Sequence, residues 1–226
     1  MCGRFQLSVR AKEITKRYQV EVFEERYVPK YNCAPGQLLP VITNKEPEVL
    51  NFYRWGLIPS WAKDVSIGNR LINARAETID QKPAFKKAFY HQRCLVPANG
   101  FYEWRKSDKQ PFRIFLKDEP VFSMAGIWEV WPDAEKRPLY TFAIITTASI
   151  GVMEKIHDRM PVILTPEEER EWLTSEDPGR LKSLLKPVTD DRLTYYPVSE
   201  KVNNVQNEGK ELIYPVNLNK PPTLFD

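Results

Sequence analysis

Nineteen prolines spread through 226 residues, in company with six tryptophans and ten tyrosines, favour a loop-rich α+β body over a helical bundle. Between the turn formers lie short strand-like runs: Leu38 to Thr43, Val49 to Trp55, Arg93 to Ala98, Phe112 to Leu116, Val121 to Trp128, Leu139 to Thr146 and Tyr195 to Val198. Ala125-Gly126, inside one of them, predicts a close backbone approach. Ala11, Ile14 and Tyr18 recur at helical spacing within Arg10 to Gln19, and further helices are expected over Pro83 to Tyr90 and Arg180 to Leu185. Thr165-Pro166-Glu167-Glu168 is a capping box with proline at the first helical position, which starts a helix at Pro166 and carries it to about Leu173. Tyr31 to Gly36 is dense in turn formers and reads as a tight loop. No repeat or clean linker divides the chain, so one domain is expected, with a frayed tail at Lys220 to Asp226.

The 33 basic and 30 acidic side chains leave a net charge of +3, too small to attract a polyanion through the mean field, so any nucleic-acid site must be a local cleft. No apolar run approaches membrane-spanning length and no signal region opens the chain, which predicts a soluble, cytoplasmic protein. Glycine stands at position 3 rather than 2, which removes the myristoylation reading. Cys2, Cys33 and Cys94 form no CxxC pair and read as thiols rather than a disulfide framework. His91 and Cys94 offer half a zinc site with no second half at matching spacing, so no metal is expected.

Cys2 is small enough for Met1 to be removable, which would place an α-amine beside a thiol on one residue. The amine has a reference pKa near ~7.7–8.0 and the thiol near ~8.5, so a useful fraction of each is unprotonated near neutrality. Such a pair condenses with an aldehyde to an imine that the thiol closes to a thiazolidine. Trp55 and Trp61 flank a Gly/Pro loop and are either buried aromatics or a stacking platform for unpaired bases. Leu71 to Thr78 reads as extended, with Asn73, Arg75 and Glu77 on one face. In Gly100-Phe101-Tyr102-Glu103-Trp104, strand alternation sets Glu103 among aromatic rings, where poor solvation would raise its pKa and make it a proton donor, unless it faces solvent or a salt bridge. His157 stands between an apolar residue and Asp158-Arg159 just ahead of a proline, a setting for either a structural or a proton-transferring histidine. The amide-rich Val202 to Asn207 can satisfy buried backbone near a site.

In order, Met1-Cys2-Gly3-Arg4-Phe5, Asn32-Cys33-Ala34-Pro35-Gly36, Trp55-Gly56-Leu57-Ile58-Pro59, Asn73-Ala74-Arg75-Ala76-Glu77, Gly100-Phe101-Tyr102-Glu103-Trp104 and Ile156-His157-Asp158-Arg159-Met160-Pro161 resemble the SRAP family, the SOS-response-associated peptidases that process abasic sites in single-stranded DNA. The resemblance runs from residue 1 to about Val216. It implies one α+β domain at 1–216 with a curved, barrel-like antiparallel sheet flanked by short helices, a tail at 217–226, and a cationic groove ending at Cys2. It also implies autocatalytic loss of Met1, covalent capture of the abasic sugar by Cys2, and support from Asn73, Glu103 and His157. Arg4, Asn32, Pro35, Trp55, Trp61, Arg75, Thr146 and Arg159 match positions at or beside the DNA. Cys33 departs from the family pattern, which often has an aliphatic residue there.

The expected partner is abasic single-stranded DNA, bound by a monomer without cofactor. The expected activities are autopeptidase and a lyase-like crosslinking of DNA. Two other classes fit parts of the sequence. An N-terminal-nucleophile amidohydrolase would turn over a small amide repeatedly, and a noncovalent reader of modified or single-stranded DNA would not need Cys2.

Overall fold

The computed structural model describes residues 2–218. Met1, whose removal the resemblance implies, and most of the expected tail, 219–226, lie outside the described residues. In chain order the elements are β1 (Arg4–Leu7), α1 (Ala11–Tyr18), β2 (Lys30–Cys33), β3 (Leu38–Thr43), β4 (Asn51–Trp55), a 3-10 helix at Val65–Arg70, β5 (Asn73–Arg75), α2 (Pro83–His91), β6 (Arg93–Ala98) and β7 (Gly100–Trp104). They continue with β8 (Pro111–Leu116), β9 (Phe122–Pro132), β10 (Pro138–Ala148), a 3-10 helix at Gly151–Lys155, β11 (Arg159–Pro161), β12 (Ile163–Leu164), α3 (Pro166–Thr174), α4 (Pro178–Ser183) and β13 (Leu193–Pro197).

Strands β3, β4, β10, β9 and β6 pair in a closed ring, because β9 joins both β6 and β10. The second sheet, β13-β8-β7-β1-β2, is antiparallel throughout and carries the start of the chain. The fold is therefore the expected single-domain α+β barrel, but its ring is mixed. β10 runs parallel to β4 and then to β5, which lie along the edge opposite β9. Long crossovers, not hairpins, return the chain to that edge, and parallel neighbours require such connections.

All of β6, the first eight residues of β9 and the middle of β10 are buried on both faces, as a barrel wall covered outside by α2 and α3 must be. The close approach expected at Gly126 exists: a Cβ there would lie 2.8 Å from Cys94 Sγ and 3.2 Å from the Ala143 carbonyl. Two expectations shift. Tyr31 to Cys33 belong to β2, so the tight turn is confined to residues 34–37, where Gly36 takes a φ of +86°. Of Leu71 to Thr78 only Asn73–Arg75 is strand, because the Thr78 amide turns back onto the Arg75 carbonyl at 3.1 Å and takes Glu77 out of the alternating face.

The helices begin as their sequences dictate. Thr165 and Glu168 cap each other reciprocally, at 3.3 Å and 3.0 Å, and Pro166 occupies the first turn. Trp172 on the inner side of α3 is fully buried and meets Phe89 of α2 at 6.0 Å between ring centroids. Among the described residues no helix is long and apolar enough to cross a membrane.

Candidate active site

Cys2 enters the antiparallel sheet just ahead of β1 and is fully buried, with its thiol directed to the Arg4 carbonyl at 3.8 Å. The β1–β7 register pairs Arg4 with Tyr102 and Phe5 with Phe101, which leaves Glu103 at the Cys2 end of β7. There Glu103 is 2% exposed. Burial raises its carboxyl from the usual range to about 7, and the Glu103 charge acts in turn on the thiol. Burial first, then Glu103, push the Cys2 thiol well above its ordinary value, so in this state it is protonated and needs a base to ionise. From the other sheet, Asn73 of β5 donates Nδ2 to the Cys2 carbonyl at 2.8 Å. The Asn73 Oδ1 is buried with no hydrogen-bond partner.

His157 follows the 3-10 helix Gly151–Lys155, and its segment is tied to the end of β7. The Lys106 amide donates to the Ile156 carbonyl at 3.2 Å, and Lys106 Nζ pairs with Asp158 at 2.9 Å. The Asp158 charge also reaches Glu103. His157 Nδ1 lies 3.0 Å from the Arg159 amide, whose N–H it accepts when unprotonated, and 2.9 Å from Asp158 Oδ1, to which it can donate only when Nδ1 itself carries a proton. Burial lowers the His157 pKa, and Asp158 is largely exposed and already engaged by Lys106, so the neutral ring with its proton on Nε2 is the resting form. Cys2, Asn73 and Glu103 thus come together from the start of the chain, β5 and β7, and the segment of His157 is tied to the same end of β7 through Ile156 and Asp158.

The residues expected at the DNA divide into two sets. Trp61 is 60% exposed and stands between two clefts. One, of about 440 Å³, is lined by Leu71, Asn73, Arg75, Lys82 and Phe85, and the other, of about 350 Å³, by Lys63 and Arg70. Arg75 is exposed, and Pro35 is exposed on the turn after β2. Thr146, opposite Arg75 in the parallel register, is buried, and its carbonyl and hydroxyl accept from Arg159 at 2.6 and 3.3 Å.

The second set faces inward. Arg4 donates to Asn32 Oδ1 at 2.8 Å and to the Val202 carbonyl at 2.6 Å, and lies over the Trp104 ring. Asn32, 1% exposed, sends its amide to the carbonyls of Asn204 and Asn207 at 3.0 and 2.9 Å, so it holds the amide-rich loop in place rather than presenting a side chain to solvent. Trp55 is 1% exposed, packs between Phe5 and Phe142, and donates Nε1 to the Ile72 carbonyl at 2.9 Å. Of the two readings open for it, the buried aromatic is correct. A core ring offers no face to a base, and the work it does instead is to anchor the residue before Asn73. Lys82 and Lys106 carry no local sequence signal, since nothing marks a surface lysine as a neighbour of a distant site, whereas Asn203, which accepts from Trp104 at 2.7 Å, belongs to the amide-rich loop expected near a site. Among the described residues no three His, Cys, Asp or Glu side chains cluster to hold a metal. Cys33 and Cys94 are buried thiols.

A closed mixed barrel joined to an antiparallel sheet, with a buried cysteine at position 2 held by an asparagine and close to a buried carboxyl, defines an α+β domain built around that cysteine. The chain belongs to the SOS response associated peptidase (SRAP) family, whose model matches residues 1–205. It is 48% identical to the abasic site processing protein YoqW of Bacillus subtilis, over 94% of this chain and 99% of that one. It is 45% identical to YoaM of the same organism, also named an abasic site processing protein, over 94% and 97%. A crystal structure of a Bacteroides thetaiotaomicron protein superposes with a TM-score of 0.88 at 31% identity, covering 96% of this chain and all of the other.

Proposed function

We propose that this protein captures abasic sites in single-stranded DNA through a covalent thiazolidine at Cys2, formed after the chain removes its own Met1. The observation that carries the reading is the buried Glu103 carboxyl, raised to about 7 beside a cysteine whose carbonyl Asn73 holds. An abasic deoxyribose is mostly a closed hemiacetal. A carboxyl that is partly protonated at neutral pH can donate to the ring oxygen and so release the aldehyde, general acid work worth about 10²–10⁴ in rate. The Cys2 amine then adds to the aldehyde carbon, water leaves with the help of the same carboxyl, and the thiol adds across the imine. The sum is loss of one water, with no change in oxidation state.

The same nucleophile accounts for the loss of Met1. The thiol attacks the Met1 carbonyl, the Cys2 nitrogen leaves as a free amine, and water hydrolyses the thioester. Glu103 takes and returns the proton that a buried, high-pKa thiol cannot shed unaided. His157, neutral and with its proton on Nε2, shuttles protons at the sugar. Arg75 and Arg159 take backbone phosphates, and Trp61 and Pro35 meet the bases. Duplex DNA binds poorly because the damaged sugar must be splayed toward Cys2. The product shields the lesion from strand cleavage, and the protein is consumed rather than turned over.

The test is the intact mass of the protein after mixing with an abasic single strand. The expected product is one chain without Met1 joined to one oligonucleotide with loss of water. Cys2→Ala gives no adduct but retains single-strand binding, and a heat-stable shifted band from that variant refutes the proposal.

A further inference from the structure

Arg75 and Arg159 stand on either side of Thr146, yet they are held differently. Arg75 is exposed, and no carboxylate pairs with it among the described residues. The Arg159 guanidinium is closed by Glu77: one terminal nitrogen reaches Oε1 at 2.6 Å and the other reaches Oε2 at 3.0 Å. This is the two-oxygen, two-nitrogen fork that an arginine also makes with a phosphate. The partners are unequally buried, since the Glu77 side chain is 49% exposed and that of Arg159 13%. They are also unequally anchored. Arg159 is bonded inside the fold to the Thr146 carbonyl and hydroxyl, whereas Glu77 stands on the turn past the end of β5, where its carboxylate also accepts from the backbone of Glu77 and Ala148.

We propose that Glu77 is an internal stand-in for a backbone phosphate, a carboxylate that occupies Arg159 until a DNA strand displaces it. The inference rests on the reading that Arg159 meets DNA. Glu77 is then a positioning residue. It keeps the guanidinium aligned while the groove is empty, and it weakens every strand that does not bring a phosphate to that spot. Arg75 supplies the first electrostatic contact and Arg159 a second, conditional one.

Fluorescence anisotropy with an intact single strand tests this, because without an abasic sugar the Cys2 chemistry does not enter. Wild type, Glu77→Gln, Arg159→Gln and the double variant are compared across a salt series. Glu77→Gln is expected to tighten binding by about two- to five-fold, the range set by exposed ion pairs. Its log affinity should fall more steeply with log salt by about 0.7, one additional counterion released from a single-strand complex. In the Arg159→Gln background the gain disappears. A Glu77→Gln variant that binds equally or more weakly overturns the proposal, as does the same gain in the absence of Arg159, which marks a general loss of negative charge. If Arg159→Gln alone binds as wild type does, the reading of Arg159 as a phosphate contact falls, a failure distinct from the other two.

Discussion

Asn73 donates its side-chain amide to the Cys2 carbonyl at 2.8 Å, a bond that ties the start of the antiparallel sheet to the strand lying parallel to β10. The other end of that amide, Oδ1, is buried without a partner. An amide fixed at its nitrogen and open at its oxygen can accept a hydrogen bond from an amine on the residue it holds.

Asn73→Ala is therefore expected to slow adduct formation by about 10- to 100-fold at saturating DNA, the usual cost of losing an orienting contact at the reacting group. Affinity for an undamaged strand should stay within about two-fold. A gel time course with the abasic oligonucleotide in excess checks the rate, and an unchanged rate removes Asn73 from the chemistry.

Glu103 should control the pH profile. Its folded value near 7 exceeds the ordinary 4.5, so the folded chain binds that proton more tightly than the unfolded one. The resulting stability is complete below about 4.5 and is lost as pH rises through about 7, by up to roughly 3 kcal/mol. Glu103→Gln should lack that loss, so urea unfolding at pH 4 and pH 8 will diverge between wild type and variant. In adduct formation the wild type should lose its acid through about 7, while the amine, at ~7.7–8.0, sets the acidic limb. The Gln variant should lose Met1 slowly, and the chains that have lost it should form the adduct slowly and show no alkaline limb. Prompt methionine loss in its intact mass contradicts the role assigned to Glu103.

Asn32 is expected to matter for architecture before chemistry. Asn32→Ala takes its side-chain donor from the carbonyls of Asn204, an exposed residue, and Asn207, a half-buried one, and leaves the buried Arg4 with the Val202 carbonyl alone, at a cost of about 1–2 kcal/mol. Hydrogen exchange of 202–207 should rise more than that of the barrel strands. A uniform rise across the molecule would show that the loop is not the part Asn32 secures.

Two glycines separate strain from collision. Gly36 has a φ of +86° with nothing within 4 Å of an added Cβ, whereas Gly56, at +126°, would push a Cβ to 2.6 Å from the Gly68 carbonyl oxygen. Gly36→Ala should cost about 1–2 kcal/mol, the left-handed penalty alone. Gly56→Ala should cost more, about 3 kcal/mol or above, because backbone must move as well. Since Gly56 follows Trp55, which anchors Ile72 beside Asn73, the second variant should also slow adduct formation. Equal melting points for the two variants would remove the steric argument.

Much of the candidate site was legible because its signals are local. Strand alternation put Phe101 on the face of Glu103 and flanked it with Tyr102 and Trp104, but left open whether that face met solvent, and only the fold shows it buried. Trp55 and Asn32 were harder. Each sits in a motif that suits either core or groove, and what decides between them is a partner far along the chain: Ile72 for one, Asn204 and Asn207 for the other. The same holds for Glu77, whose place beside Asn73 and Arg75 suggested a shared face until the turn at Thr78 carried it to Arg159, 82 positions away.

By itself the sequence determined the parts whose causes span a few residues: the capped start of α3, the short strands between turns, and a thiol next to the first residue. Tertiary structure alone decided that the barrel closes through a parallel β4–β10 pairing, that Glu103 loses its water, and which arginine is already occupied. Propensity and capping act over one turn or one hairpin. Burial and charge pairing depend on which distant groups the closing sheet brings within a few ångströms.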